Sequence, residues 1–221
     1  VRNHADTVIR NLVPQTSYIY YVRKTCDTQY GDWSTPRTFT TFCGNAIYPY
    51  YDNFESTTVK TPIGGCYIAK AGDPTKTIGT YSSASDNANF NHTPDGTKGL
   101  TCLTENAGSY VNSSTTKELS LYSLMHLEAG ANYEISLWTK KQNGSASYAD
   151  DYKYNVSFML GNDTANMAVL YTETVTETAW TQRNAFFSVP EDGDYFLGFK
   201  TESRLLNKSY YPYIDDYQVA K

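Results

Sequence analysis

The stretch Asn132-Tyr133-Glu134-Ile135-Ser136-Leu137-Trp138-Thr139-Lys140 alternates between apolar and polar side chains with a period of two. A strand turns successive side chains to opposite faces, so Tyr133, Ile135 and Leu137 share one face while Glu134, Ser136 and Trp138 share the other. Tyr154, Val156, Phe158 and Leu160 repeat the scheme, as do Tyr195, Leu197 and Phe199. Several strands with one apolar face each predict two sheets facing each other across one core.

Working outward, further strand signals stand at residues 47–54, 99–104, 117–124, 131–140, 152–160, 167–174, 180–189, 195–201 and 213–220. Turn chemistry separates them at Thr93-Pro94-Asp95-Gly96, Glu128-Ala129-Gly130, Gly161-Asn162-Asp163 and Pro190-Glu191-Asp192-Gly193-Asp194. No segment sustains a helical period of apolar residues, which predicts an all-β protein. Evenly spaced strands in this number suit a jelly-roll β-sandwich.

Composition agrees. Of 221 residues, 40% are hydrophobic and only 19% charged, and 21 are Tyr. Tyr and Thr suit half-buried strands while their hydroxyls keep one face wet, the usage of an exported β protein. A net charge of -5 with a pI near 5.2 leaves no basic stripe to release counterions from phosphates, so nucleic acid is not an expected partner. No apolar run approaches the roughly 20 residues of a membrane helix, and Val1 does not open a signal peptide. The chain reads as an internal piece of a longer secreted or cell-surface protein.

Cys26, Cys43, Cys66 and Cys102 lack metal-finger spacing. An even count in such a chain favours disulfides, with three connectivities open if all four pair. Cys43 with Cys66 is the preferred pair, tying the start of the second domain to its next segment; Cys102, in strand-like sequence, has the alternative of a buried thiol.

Two segments bring carboxylates into aromatic, β-forming sequence: residues 48–56, with Asp52 and Glu55, and residues 211–219, with Asp215 and Asp216. Burying adjacent aspartates is costly unless a cation or several donors meet them. They form either a hard-cation clasp or the cap of a bulge at a sheet edge.

Residues 1–42 read differently from the rest. Strand signals at 7–12, 18–24 and 37–42 flank Leu12-Val13-Pro14-Gln15-Thr16-Ser17-Tyr18, whose spacing resembles the tyrosine corner of fibronectin type III domains. The continuation through Gly31-Asp32-Trp33-Ser34 to Phe39-Thr40-Thr41 is similar to the end of such a domain. A full domain needs about 90 to 100 residues, so residues 1–42 correspond to its last strands and are expected to lean on the next domain or on another chain.

Residues 43–221 carry, in order, Asp52-Asn53-Phe54-Glu55, Asn91-His92-Thr93-Pro94-Asp95-Gly96-Thr97-Lys98-Gly99-Leu100, Ala131 to Trp138, Gly193-Asp194-Tyr195-Phe196-Leu197-Gly198-Phe199 and Ile214-Asp215-Asp216. This order resembles the cleaved-adhesin and choice-of-anchor domains, MAM-like jelly-roll modules of exported Bacteroidetes proteins. One departure is Cys66-Tyr67, where the family has Cys-Trp. The resemblance implies a non-catalytic adhesion or glycan-binding module carrying structural Ca2+. The implied calcium ligands are Glu55 and Asp215 or Asp216, with Asp52 a weaker choice; six to eight oxygens would be needed.

Catalysis finds no footing: His4, His92 and His126 stand in no metalloprotease or nucleophile motif, and no nucleophile elbow or phosphate loop occurs. For sugar binding, aromatic faces flanked by amides and carboxylates are the relevant chemistry. Trp138, Trp180, Tyr148, Tyr152 and Tyr210 are the candidates, Trp180 having the alternative of stapling a strand start. Expected partners are a glycan or a host or surface protein, together with neighbouring domains of the same chain. The other reading is a protein-binding or spacer module of a secreted protease or glycoside hydrolase.

Overall fold

The computed structural model describes residues 9, 12, 17–26, 29–41, 44, 46, 48–73, 75–82, 90–104, 118–142, 152–203 and 212–221. The chain divides into two compact units, Val1–Gly44 and Asn45–Lys221.

The first unit holds two antiparallel pairs. Strand β1 (Ser17–Tyr20) pairs with β4 (Arg37–Thr40), and β2 (Arg23–Cys26) with β3 (Gln29–Trp33). The single strand expected over 18–24 is broken at Tyr21-Val22, because Ser34 holds Val22 from both sides: Ser34 N–H donates to the Val22 carbonyl and Val22 N–H to Ser34 Oγ. Tyr18 stacks on Phe39 at 5.8 Å. Most of the expected 7–12 strand and the turn of the tyrosine corner lie outside the described residues.

The second unit is a jelly-roll sandwich. Its strands are β5 (Tyr50–Asp52), β6 (Tyr67–Ala71), β7 (Lys76–Ser82), β8 (Lys98–Thr104), β9 (Glu118–Leu127), β10 (Tyr133–Lys141), β11 (Tyr154–Gly161), β12 (Ala168–Val175), β13 (Thr181–Phe187), β14 (Gly193–Ser203) and β15 (Pro212–Ala220). One sheet runs β12-β11-β14-β9-β6, the other β13-β10-β15-β8-β7 with β5 also on β15. All named strand pairs are antiparallel. The turns sit where the punctuation predicted them: Gly130 adopts φ +70° after β9, and Asp95, at φ +61°, lies inside a turn closed by Gly96 N–H on the Thr93 carbonyl.

The inner faces meet as the alternation requires. Leu121, Met125, Val156, Phe158, Leu197 and Phe199 pack against Ile135, Leu137, Ile214, Tyr217 and Val219, each large apolar side chain contributing about 1.5–3 kcal/mol of burial. A second cluster of Tyr81, Phe90, Leu103 and Tyr213, with Trp180 against it, lies on the outer side of the six-stranded sheet. It covers the β7/β8 end; on the β13/β10/β15/β5 end Tyr51, Asn184, Phe186 and Gln218 are exposed, with Ser136 buried between them.

Strand β15 organises this sheet. Along one side it pairs with β10; along the other, Tyr217–Val219 pairs with β5 and Ile214 with β8. Between Ser136 and Trp138 the β10 register slips: Ser136 faces Gln218 while Trp138 faces Asp215. The extra residue is accommodated by Asp216 at φ +51°, a β-bulge with its bulged residue in the left-handed region. The bulge at the aspartate pair thus lies in a central strand of the sheet rather than at a sheet edge.

Candidate functional site

The register of the six-stranded sheet fixes which side chains share its open outer face. Phe186 stands opposite Glu134, and Asn184 opposite Ser136; Ser136 faces Gln218, which faces Tyr51. Directly opposed residues point to the same side of an antiparallel pair, so Phe186, Glu134, Asn184, Gln218 and Tyr51 project together, away from Ile135 and Val219. Tyr51 is 54% exposed and Phe186 73%; Asn184 and Gln218 are also exposed. Asn184 Nδ2 donates to Glu134 Oε1 at 2.9 Å, which orients both groups. Three strand steps of roughly 4.8 Å and one two-residue offset of about 6.8 Å put the two rings on the order of 16 Å apart. The face thus offers two aromatic surfaces with amides and one carboxylate between them.

One end of this face is bounded by the aspartate bulge. Asp215 Oδ2 accepts the His92 N–H at 2.7 Å and the Thr93 N–H at 3.2 Å, and its Oδ1 accepts the Asp216 N–H at 2.8 Å. Asp216 accepts Thr93 Oγ1 at 2.7 Å and the Tyr51 hydroxyl at 2.5 Å, and pairs with His92 Nδ1 at 2.5 Å. Burial pushes the Asp215 carboxyl up to about 7; the His92 and Asp216 N–H groups oppose the shift and the Asp216 charge adds to it. Burial, with the hydrogen bond to Asp216, likewise pushes the Tyr51 phenol up to about 12. The several donors that adjacent aspartates require are therefore supplied by the 92–93 segment and Tyr51.

Trp138 stands on the outer side, opposite Ile135 and Leu137, but the His92 ring is stacked on it at 3.8 Å and 16°. Trp180 meets His92 edge-on at 5.7 Å and carries the Lys140 ammonium 4.9 Å from its ring centre. It precedes β13 and packs on the Tyr81 cluster, the position of a staple. Tyr152 is half-buried in the turn before β11. Tyr148 and Tyr210 lie outside the described residues, as does Cys43, on which the Cys43–Cys66 pairing depends; Cys66 is half-buried and Cys102 buried.

The four acids that the resemblance implied as calcium ligands are met separately. Asp52 takes the Phe54 N–H on Oδ1 and the Tyr67 hydroxyl on Oδ2. Glu55 Oε1 takes the N–H groups of Thr97 and Lys98, both at 2.8 Å, and the aspartate pair takes the donors described above. Among the described residues no group of three or more His, Cys, Asp or Glu gathers at metal-binding range. A hard cation needs six to eight converging oxygens; these carboxylates face N–H and O–H donors, so the donor set as arranged does not fit one.

Tyr51 and Phe186 escaped the sequence reading. The signal was present: in Tyr50-Tyr51-Asp52 and in Ala185-Phe186-Phe187 a period of two puts one aromatic inside and its neighbour outside. Tyr50 and Phe187 pack on the core, which turns Tyr51 and Phe186 to solvent.

No protein-family model matches the chain, and no curated protein matches it. Solved structures do. The C-terminal family 22 carbohydrate-binding module of Clostridium thermocellum Xyn10B is 15% identical over 78% of this chain and 92% of the module, with a TM-score of 0.50. The K1 cleaved adhesin domain of Lys-gingipain from Porphyromonas gingivalis is 14% identical over 78% of this chain and 98% of that domain, at 0.48. The N-terminal module pair of the same Clostridium xylanase, CBM22-1 with GH10, is 16% identical at 0.47; this chain spans 28% of its length and 78% of its own. At these identities the likeness is one of fold, and the chain is built on the jelly-roll sandwich that the family 22 module at TM-score 0.50 also carries.

Proposed function

We propose that the second unit is a non-catalytic glycan-binding module of a larger secreted or cell-surface protein, holding a sugar chain across the open outer face of its six-stranded sheet. The observation that carries this is the shared projection of Tyr51 and Phe186, exposed, with Asn184, Glu134 and Gln218 between them. Aromatic faces stack on the apolar faces of pyranose rings, and amides and carboxylates take the hydroxyls. The family 22 module that shares the fold is named for carbohydrate binding, which supports the reading. Glu134, the carboxylate on this stretch of face, favours a neutral chain over an anionic one.

The test is affinity electrophoresis through gels containing soluble neutral polysaccharides, xylan and mixed-linkage glucans among them, followed by Tyr51→Ala and Phe186→Ala. Retardation by at least one polysaccharide is expected. Each truncation should weaken it by about 1–2 kcal/mol, roughly 5- to 30-fold, with an unchanged unfolding midpoint for Phe186→Ala and, for Tyr51→Ala, a midpoint lowered by the loss of the hydrogen bond to Asp216. Lack of retardation in every gel, or variants that bind like the parent, removes the reading.

One observation favours a protein partner for the first unit. Ile19, Val22, Tyr30 and Trp33 are all exposed there, with the Arg23 guanidinium 3.8 Å from the Tyr30 ring centre and 4.6 Å from that of Trp33. Apolar surface of this kind marks protein contacts; Trp33→Ser together with Val22→Ser should then abolish capture of that partner while leaving glycan retardation intact.

A further inference from the structure

The segment that follows β5 is held in an unusual backbone. Phe54 is buried in the core yet sits at φ +58°, a conformation that costs a non-glycine residue about 1 kcal/mol or more. The surroundings impose it. Asp52 Oδ1 accepts the Phe54 N–H at 2.7 Å, Asn53 Oδ1 the Glu55 N–H at 3.3 Å, and the Thr57 N–H closes a turn onto the Phe54 carbonyl. One result is that the carbonyls of Glu55 and Thr57 point at one place. Two converging carbonyl dipoles need a cation or donors between them.

The Lys98 ammonium occupies that place. Its Nζ donates to the Glu55 carbonyl at 2.5 Å and to the Thr57 carbonyl at 2.8 Å. The contact is reciprocal, because Glu55 Oε1 accepts the backbone N–H of Lys98 and of Thr97. The carboxylate of one segment thus meets the backbone donors of the other, while the ammonium of the second meets the backbone acceptors of the first. A hard divalent ion at this point would need four or more further oxygens, and Glu55 Oε1 is spent on the Thr97 and Lys98 N–H groups. An ammonium has three donors in a compact, strongly charged head on a flexible stem, and two carbonyls at hydrogen-bonding range suit it.

We propose that the carbonyl cradle of Glu55 and Thr57 is a cation site whose occupant is the chain's own Lys98 ammonium, so that the segment after β5 is tied to the start of β8 by an internal cation rather than by a metal ion. The cradle selects for a primary ammonium, a charged group with N–H donors. Guanidinium is the next best fit, and a quaternary ammonium or calcium is a poor one. Nothing in this depends on the glycan reading of the outer face.

The test uses the full chain and its thermal unfolding midpoint. For the parent protein, addition of EDTA or of excess Ca2+ should leave the midpoint where it is. Lys98→Met, which keeps length and removes charge and donors, should lower it by about 6–12 °C, the low end for two charge-assisted hydrogen bonds in a chain of this size. Lys98→Arg should recover at least half of that loss. In Lys98→Ala, propylammonium should raise the midpoint more than tetramethylammonium at equal concentration, since only the former has the donors and fits the vacated stem. A parent midpoint that falls in EDTA and returns with Ca2+ overturns the proposal, as does a Lys98→Met midpoint equal to the parent's. If Lys98→Met does not fold, a failure of Lys98→Arg to fold as well, or equal effects of the two amines on Lys98→Ala, overturns it too.

Discussion

Asp215 makes the stability of the fold fall as pH rises through neutrality. Its carboxyl is wholly buried and pushed up to about 7, chiefly by burial, against an unfolded value near 4. The folded chain therefore holds this proton more tightly than the unfolded chain, so the contribution to stability is fully present below about pH 4 and is lost as pH rises through about 7. One pKa unit is worth about 1.4 kcal/mol, which puts the loss between pH 5 and pH 8 at about 2.5 kcal/mol. Glu177, Asp163 and Glu128 are shifted the other way, below the usual carboxylate range; their contributions are present at neutral pH and lost on acidification below that window. The assay is urea unfolding followed by tryptophan fluorescence at pH 5, 6, 7 and 8, on the parent and on Asp215→Asn. Both proteins carry His92 and His126, so the difference between their curves isolates Asp215. Asparagine loses one of the two acceptor oxygens that serve His92, Thr93 and Asp216, about 1–3 kcal/mol at low pH, but it has no proton to release. The two stability curves should thus approach each other as pH rises. Parallel curves, or a parent whose stability rises steadily from pH 5 to pH 8, would refute the reasoning.

Three other outcomes follow from the geometry. Arg183 is 5% exposed and bound to Glu173 and Glu177, which are 35% and 39% exposed; Arg183→Met should stay within about 1 kcal/mol of the parent because both carboxylates can rehydrate, whereas Glu173→Gln with Glu177→Gln strands a buried cation and should cost about 3 kcal/mol by urea unfolding. A Cβ on Gly99 would lie 1.8 Å from the Phe90 carbonyl oxygen, so Gly99→Ala should displace the 90–93 segment, unstack His92 from Trp138 and shift the tryptophan emission, at a cost of about 3 kcal/mol or more. Tyr51→Phe keeps the ring on the outer face but releases it from Asp216; glycan retardation should weaken about 2- to 5-fold, less than for Tyr51→Ala, because only the orienting hydrogen bond of about 0.5–1 kcal/mol is lost.

How much of this was legible in the sequence depends on whether the determining contact is local. The inward faces of β10, β11 and β14 could be read because a period of two is a local property, and Tyr133, Ile135 and Leu137 are buried as the pattern requires. Strands β6 and β7 were not read. Tyr67–Ala71 is short and half-exposed, and Gly79 interrupts β7 in a way that argues against a strand. Its reason is tertiary: a Cβ there would lie 2.2 Å from the Thr61 carbonyl oxygen. Likewise the alternation placed Trp138 on the outer side, but nothing near it in sequence shows that His92 covers it. That Glu55 and the aspartate pair each meet their own donors was hidden for the same reason. Adjacent carboxylates announce that something must meet them, and only the packed chain shows that the donors come from residues 92, 93, 97 and 98.

The bulge at Asp216 connects these points. Because β15 exchanges β5 for β8 along one side, a stretch of its edge at Asp215-Asp216 lacks a neighbouring strand. The 92–93 segment docks beside that stretch, giving its N–H groups to the Asp215 carboxylate. Once that segment is docked, its next side chain lies over the outer face, and the His92 ring comes to rest on Trp138. The same docking turns Asp216 toward Tyr51. The aromatic most prominent in the sequence is thereby withdrawn from the surface, while one that the sequence left unremarked is fixed upon it. The aspartate pair acts on any ligand only through these two rings, which is why substitutions at Asp215 should register first in stability and those at Tyr51 first in binding.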